Sequence, residues 1–308
     1  SWFVSTAMGT SVGTITLITP IAVAISEGSG FSLPLCVGTV VGGAMFGDNL
    51  SMISDTTIAA VKTQGCEMKD KFKANFLIVL PAAIITIIIF LIITRNGSYE
   101  MTEELSYNVL QILPYILVLV GALIGINVFV VLIGGTIISL IIGVATGALA
   151  LSEVFTVVGN GVTGMYDITV ISIVVACIVS LVKANGGIQF ILDLIRKGIR
   201  GKKGAELGIA GLSLLIDACT ANNTVAIVMA GPIAKEISEE FGVEPKRTAS
   251  WLDIFTSVGQ GLIPYGAQLL SAATLTALTP FEIMPYLFYP ILMAVSAVCF
   301  IIFRTERK

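Results

Sequence analysis

Long uncharged stretches decide what this chain can fold into. Ala74 to Thr94 runs 21 residues without a charged side chain, and Asn108 to Leu151 runs 44. A bilayer core about 30 Å thick takes about 20 residues of helix. The first stretch therefore suits one crossing, and the second suits two, with a turn near Gly125-Ile126-Asn127. Only 12% of the 308 residues are charged and the mean hydropathy is +0.97, against about 25% charged in soluble domains. A single soluble core has no need of such runs.

The remaining composition removes other classes. The sequence has no histidine, and its five cysteines (Cys36, Cys66, Cys177, Cys219, Cys299) are scattered without CxxC spacing. Zinc chemistry and a Ser-His-Asp triad are disfavoured, and the cysteines read as small packing residues. No basic patch with interleaved aromatics points to nucleic acid. An intramembrane enzyme would need a nucleophile with a base, or a metal cluster, and neither is evident.

Apolar segments predict helices over Ile15–Ser26, Leu33–Phe46, Ser54–Val61, Ala74–Thr94, Val109–Gly125, Asn127–Gly147, Asp167–Val182, Ala205–Cys219, Val225–Ile237, Thr248–Val258, Ala267–Leu278 and Met284–Phe303. Gly187–Ile199 is amphipathic and suits the membrane interface. Segments of about 12 to 15 residues are short for a crossing and fit re-entrant or broken helices. Basic residues orient the chain. With Lys62–Lys73 in the cytoplasm, Lys183, the Arg196–Lys203 cluster, Lys235, Lys246, Arg247 and the tail Arg304, Arg307, Lys308 also fall inside. Only Arg95 of the 17 basic residues falls outside. The expected setting is a multi-pass protein of the cell inner or plasma membrane with a cytoplasmic C-terminus.

The chain also repeats itself. Pro20-Ile21-Ala22 recurs as Pro232-Ile233-Ala234 and Ile25-Ser26-Glu27 as Ile237-Ser238-Glu239. Gly30, Gly47 and Leu50 match Gly242, Gly259 and Leu262 at the same separation. Thr10–Thr14 matches Thr220–Thr224 at a slightly shorter separation, which calls for a small indel. An odd number of crossings separates equivalent points, so the repeats are expected to be inverted. The expected fold class is an all-α polytopic membrane protein with inverted repeats, re-entrant hairpins and broken transmembrane helices. Its first repeat occupies 1–104 and its second 105–308. Such folds are typical of secondary transporters, with the site near the midplane. The second unit begins near Ser106, so by symmetry about 100 residues would precede Ser1.

The candidate chemistry lies at the breaks. Gly47-Asp-Asn-Leu-Ser-Met-Ile-Ser-Asp-Thr-Thr57 holds two carboxylates, an amide and four hydroxyls between apolar pieces. Unwound backbone at membrane depth is tolerated where it lines protein or a watery cavity. Hard oxygens there suit Na⁺, and a desolvated carboxylate can exchange Na⁺ for a proton. Asp48, Asn49, Ser51, Ser54, Asp55, Thr56 and Thr57 are the primary candidates, with Na⁺ at Asp48 and Asp55; the alternative is a solvated loop. Neither acid has a basic neighbour in sequence, and no fixed cation deep in the membrane is evident. Gln260 stands where Asp48 does, in a segment that Gly and Pro would keep unwound. Thr10, Ser11, Thr14, Thr220, Asn222, Asn223 and Thr224 sit at hairpin tips, as ligands or as caps formed by Asn223 or Thr224. Asp217 is a lone acid on an apolar arm. Asp253 fits an interfacial pair with Lys246 or Arg247. Asn127 and Asp167 read as loop or helix-end residues.

The Asp48–Thr57 segment resembles the G-D-x-x-S-P-x-S-D-T-T signature of NhaC-type Na⁺/H⁺ antiporters, with Met52 at the proline. The T-S-V-G-T tip and the later T-A-N-N-T segment are similar to that family too, and the resemblance covers essentially the whole chain. It implies Na⁺/H⁺ exchange; with the residues read above, the expectation is alternating access with Asp48 and Asp55 as cation and proton carboxylates, helped by Ser51, Ser54 and Thr56, and the lone acid Asp217 as a proton relay. It also admits Na⁺-coupled transport of an organic anion or amino acid, as in malate/lactate exchangers. No cofactor is expected. The expected partners are the lipid bilayer, Na⁺ and H⁺, with a small organic solute as alternative cargo and a second copy of the chain as a homodimer.

Overall fold

The computed structural model describes residues 1–95, 109–124, 126, 128–187, 190 and 198–303. Among these, every regular element is helical and none is a strand. Most of the amphipathic segment 187–199, the boundary near Ser106, Gly125, the side chains of Asn127, Asp167 and Lys183, and the tail 304–308 lie outside the described residues. Ser1–Met101 with Gly186–Lys308 form one compact unit, and Thr102–Asn185 form another.

In the first unit the helices are α1 (Trp2–Met8), α2 (Ser11–Ser29), α3 (Leu33–Leu50), α4 (Asp55–Gln64) and α5 (Met68–Ile93). After the second unit come α9 (Gly201–Thr220), α10 (Asn223–Phe241), α11 (Pro245–Leu262), α12 (Ala267–Thr276), the short α13 (Pro280–Ile283) and α14 (Phe288–Phe303). Several helices outrun the apolar segments that announced them. The reason is that caps set their ends. Thr10 accepts from the Gly13 N–H at the start of α2 (3.3 Å), and Gly30 closes it at φ 71°. Glycine reaches that left-handed conformation without a Cβ penalty.

Helix α5 shows how such a chain partitions its faces. Lys71, Asn75, Ile78, Val79, Ala82, Ala83 and Thr86 form its buried stripe, at helical spacing. Ile84, Ile85, Ile88, Leu91 and Ile92 stand exposed on the other side. A water-soluble helix does the reverse; an apolar outer face suits lipid. Helix α11 is enclosed all round, with Arg247 through Gly261 buried without a break. Among the described residues, Ser11–Ser29, Leu33–Gln64 and Met68–Ile93 are long and apolar enough to cross a membrane. Pro280–Tyr286 with Phe288–Phe303, bent by 54°, makes a fourth if taken as one span.

The ends of α2, α3 and α4 recur as the ends of α10, α11 and α12, all at the separation of Pro20 from Pro232. The expected indel is absent. Thr10 and Asn222, which share that separation, are both N-caps, accepting from the N–H of Gly13 and of Val225. Packing is reciprocal: α4 lies on α10, while α12 lies on α2. Each short helix thus rests on the hairpin arm of the other set.

The second unit contains α6 (Val109–Ile124), α7 (Val128–Ala145), a 3₁₀ turn (Leu151–Glu153) and α8 (Val154–Ala184). Gly135 of α7 lets Val118 of α6 approach, and Gln111 donates to Thr146 at 3.2 Å. Helix α8 starts at Val154, well before the expected Asp167. Its first half carries Gly159, Gly161 and Gly164, poor helix formers whose intrinsic preference the fold overrides.

Two glycines test the packing. A Cβ on Gly47 would strike the Ser5 side chain and the backbone of Trp2 and Thr6, whereas one on Gly211 in α9 would meet open space. Gly47→Ala is expected to destabilise by about 1–3 kcal/mol, and Gly211→Ala to stabilise by about 0.5–1 kcal/mol. Thermal unfolding of the purified protein in detergent measures both.

Candidate functional site

Helix α3 ends at Leu50 and α4 begins at Asp55, leaving a four-residue break, 51–54. Ser51 anchors this break by donating to the Thr6 carbonyl (2.9 Å) and accepting from the Ile53 N–H (3.3 Å). Asp48 lies in the last turn of α3 and is buried. Its Oδ1 accepts from Ser54 (2.6 Å) and its Oδ2 from Ser11 (3.0 Å). Ser11 in turn accepts from Gln268 of α12 (3.1 Å). Ser54 and Thr56 share a bond of 2.7 Å. The Ser54 proton is committed to Asp48, so Thr56 is the donor there. Asp48 therefore sits in a chain of hydroxyls and amides drawn from α2, α12, the break and α4. Hydroxyls donate to an ionised acid and accept from a protonated one, so one shell serves both states.

Asp55 is solvent-exposed. It accepts from the Thr56 N–H (2.9 Å) and from the Thr224 hydroxyl (2.6 Å). The hairpin tips divide their work. Ser11 and Thr224 reach across to the two carboxylates, each from the first turn of its helix, where the positive dipole end favours an anion. The others serve the backbone: Thr14 donates to the Thr10 carbonyl (2.9 Å) and Thr220 to that of Asn222 (3.2 Å). Asn222 caps α10 by accepting from the Val225 N–H (3.0 Å). The cap of α10 is thus Asn222, in place of the expected Asn223 or Thr224. Asn223 accepts from the Thr224 N–H (3.1 Å).

The structure also joins two candidates that the sequence kept apart. Gln260, the counterpart of Asp48, donates to Asp217 Oδ1 (2.8 Å). Asp217 Oδ2 and Gln260 Oε1 are both buried and without a partner. Gly259 permits the approach, since a Cβ there would strike the Asp217 carboxylate. Gly47 and Ser5 form the equivalent contact in the first repeat. The buried acid lies on α3 in the first case and on the arm α9 in the second.

Two expectations are corrected. Asp253 does not pair with Lys246 or Arg247 at an interface. It is 1% exposed and bonds to Lys71, also 1% exposed, at 2.5 Å, and to Asn75 at 2.8 Å. Arg247 instead meets Glu206 at 2.9 Å and lies over Trp251 and Phe300. Lys246 bonds Glu244 at 2.9 Å and holds that carboxyl below the usual range. The interior also does hold a fixed cation. Lys71 donates to Thr57 (2.7 Å) and approaches the Asn49 carbonyl (3.5 Å). Asn49 itself donates to Ser257 (3.3 Å) and to Tyr289 (3.2 Å). Sequence reasoning missed Lys71 by assigning the basic run Lys62–Lys73 to a loop, and passed over Asn75 inside the apolar span Ala74–Thr94. Their i, i+4 spacing, in phase with Val79, Ala82 and Ala83, carries the signal.

The buried acids then sort into two kinds. Asp48, Glu206, Asp217 and Asp253 are the buried acids among the described residues. Glu206 and Asp253 have fixed cations, from Arg247 and Lys71. Asp48 and Asp217 are held by hydroxyl or amide groups alone. No group of three or more His, Cys, Asp or Glu able to hold a metal occurs among the described residues. A cation at Asp48 would therefore draw on hydroxyl oxygens besides the acid.

A lipid-suited outer face, over an interior in which two buried acids lack a fixed cation, defines a helical membrane protein. The chain belongs to the Na⁺/H⁺ antiporter family, whose model matches residues 1–94 and 102–305. It is 24% identical to the malate-2H⁺/Na⁺-lactate antiporter of Bacillus subtilis (strain 168), over 92% of this chain and 67% of that protein. It is 22% identical to the Na⁺/H⁺ antiporter NhaC of Alkalihalophilus pseudofirmus, over 96% of this chain and 71% of that protein. It is also 22% identical to the arginine/ornithine antiporter ArcD of Halobacterium salinarum, over 97% and 68% respectively.

Gln260→Leu removes the donor to Asp217 and leaves a second buried carboxylate oxygen without a partner. A loss of about 1–3 kcal/mol is expected, read as a lower melting temperature in detergent. Asp217→Leu added to it should recover part of that loss, because both polar partners are then gone.

Proposed function

We propose that this protein exchanges Na⁺ for H⁺ across the cell membrane by alternating access, with Asp48 as the carboxylate that takes either ion. The observation that carries the reading is the sorting of buried acids. An ionised carboxylate far from water is costly without a counter-charge. Asp48 has no fixed one, both its oxygens face hydroxyls, and it sits at a helix break. A mobile cation or a proton meets its need, and the hydroxyls of Ser11, Ser54 and Thr56 supply further oxygens. Asp55 stands exposed at the start of α4, bonded to Thr224, and serves as the acid that meets ions entering from water. Asp217 with Gln260 is the second uncompensated acid and serves the proton.

In this reading the two repeats are inverted, and α1–α2 and α9–α10 are re-entrant hairpins whose tips meet the breaks. Support comes from the common separation of the matching helix ends. It comes also from the reciprocal seating of α4 on α10 and α12 on α2, a swap that a two-fold relation produces. The basic residues place the C-terminus in the cytoplasm. The functional state includes the homodimer as an expectation that oligomer mass would test.

Coupled movement of an organic solute is the second reading, favoured by relatives named for malate, lactate, arginine and ornithine. Against it, the buried cation next to the break, Lys71, is already bonded to Asp253 and is not free for a substrate carboxylate.

Proteoliposomes with a pH dye inside test both. A Na⁺ pulse alone should move protons in the wild type, and Asp48→Asn should cut that flux at least tenfold while the protein stays monodisperse. Undiminished flux in Asp48→Asn defeats the assignment. A response that appears only when malate or an amino acid is added selects the second reading.

A further inference from the structure

The surroundings of the Lys71 ammonium look like the surroundings of a metal cation. Its Nζ lies 2.5 Å from Asp253 Oδ2, 2.7 Å from Thr57 Oγ1 and 3.5 Å from the Asn49 carbonyl. These are a carboxylate, a hydroxyl and a backbone carbonyl, the hard donors that Na⁺ prefers. The carbonyl belongs to the last turn of α3, where C-terminal carbonyls lack helical partners and the dipole is negative. The end of a broken helix is where coupling cations sit in transporters of this general build. A second observation points the same way. The Asn75 amide donates to Asp253 (2.8 Å) and to the Asn49 carbonyl (3.0 Å), so it lies within the same cluster. Its own Oδ1 is buried and has no partner, leaving one more unused oxygen there.

We infer that Asp253, Thr57, the Asn49 carbonyl and the Asn75 amide form a second monovalent-cation seat, filled here by the protein's own tethered ammonium. The seat shares its break with Asp48, which is the residue before Asn49 on α3. One break thus serves two cations, and Lys71 decides that only one of them is free cargo. An attached ammonium needs no binding from solution, so it outcompetes Na⁺ by effective concentration. Lys71 is accordingly a residue that sets how many Na⁺ ions the protein holds. The inference rests on the Na⁺ reading given above and adds the number of ions to it.

The test is equilibrium binding of radioactive Na⁺ to the purified full chain in detergent, with melting temperature followed against Na⁺ concentration. Lys71→Ala vacates the seat and leaves the Asp253 carboxylate exposed to it. This variant should double the Na⁺ bound per protein and should be stabilised by Na⁺ more than the wild type is. Lys71→Met/Asp253→Asn, neutral and of similar volume, should return to wild-type stoichiometry. A merely structural ion pair predicts a destabilised Lys71→Ala with no added Na⁺. Stoichiometry unchanged in Lys71→Ala, or a gain that survives in the double variant, overturns the inference. Lys71→Ala that gains no stability at any Na⁺ concentration overturns it too, whatever the double variant does. A wild type that binds no Na⁺ at all, with transport absent, instead defeats the functional reading and is distinguishable from these.

Discussion

A carboxylate without a fixed counter-charge, enclosed by helices, is the constraint on which the structure turns. Folding a charge away from water costs several kcal/mol unless something neutral or positive answers it. The chain meets this cost in two ways. Glu206 and Asp253 receive permanent cations from Arg247 and Lys71. Asp48 receives two hydroxyls, which stabilise an anion but do not cancel it. A fixed ion pair makes a helix contact; an acid met by hydroxyls alone keeps a need for a proton or a cation. The interruption at 51–54 serves the same need, because the end of one helix and the start of the next free backbone groups and hydroxyls beside the acid.

Much of the fold was legible because its punctuation is written in residues with backbone consequences. Gly30 and Gly242 close helices at left-handed φ values of 71° and 68°, and Pro20 and Pro232 sit inside equivalent helices. These residues mark the repeat in the sequence itself. The break at Asp48 was legible as polar residues between apolar runs. Helix ends were less so, since apolarity marks the middle of a segment and caps mark its limits. The tip alignment shows the difference. Matching Thr10 to Thr220 by residue type suggested an indel, whereas Thr10 and Asn222 are the residues that do the same capping job.

The polar interior was legible in part. Asp48, Ser54 and Thr56 lie close in sequence, and their grouping follows from local chain geometry. Lys71 and Asp253 stand 182 positions apart, and no local pattern joins them. Counting basic residues for orientation also obscured Lys71, because a charge near a helix start reads as a loop charge. The stripe it shares with Asn75, Val79 and Ala82 was the available signal. Asp217 and Gln260 were each singled out, but the bond between them depends on how α9 packs on α11.

The common spacing of α2–α4 and α10–α12 bears on how such a chain can change over time. Side chains at several equivalent positions differ: Asp48 corresponds to Gln260, Ser5 to Asp217, and Met52 to Pro264. Lengths have not diverged at all across these three pairs of helices. A helix turns about 100° for every residue added. One insertion in α3 before Asp48 would swing that acid off Ser11 and toward another neighbour, with every contact beyond it displaced as well. Substitution is thus the change that this architecture accommodates with its helix phases intact, as the differing residues at matched positions illustrate. A change of length in a connection would leave the rotational phase of each helix untouched, yet here the connections 30–32 and 51–54 match 242–244 and 263–266 in length, residue for residue.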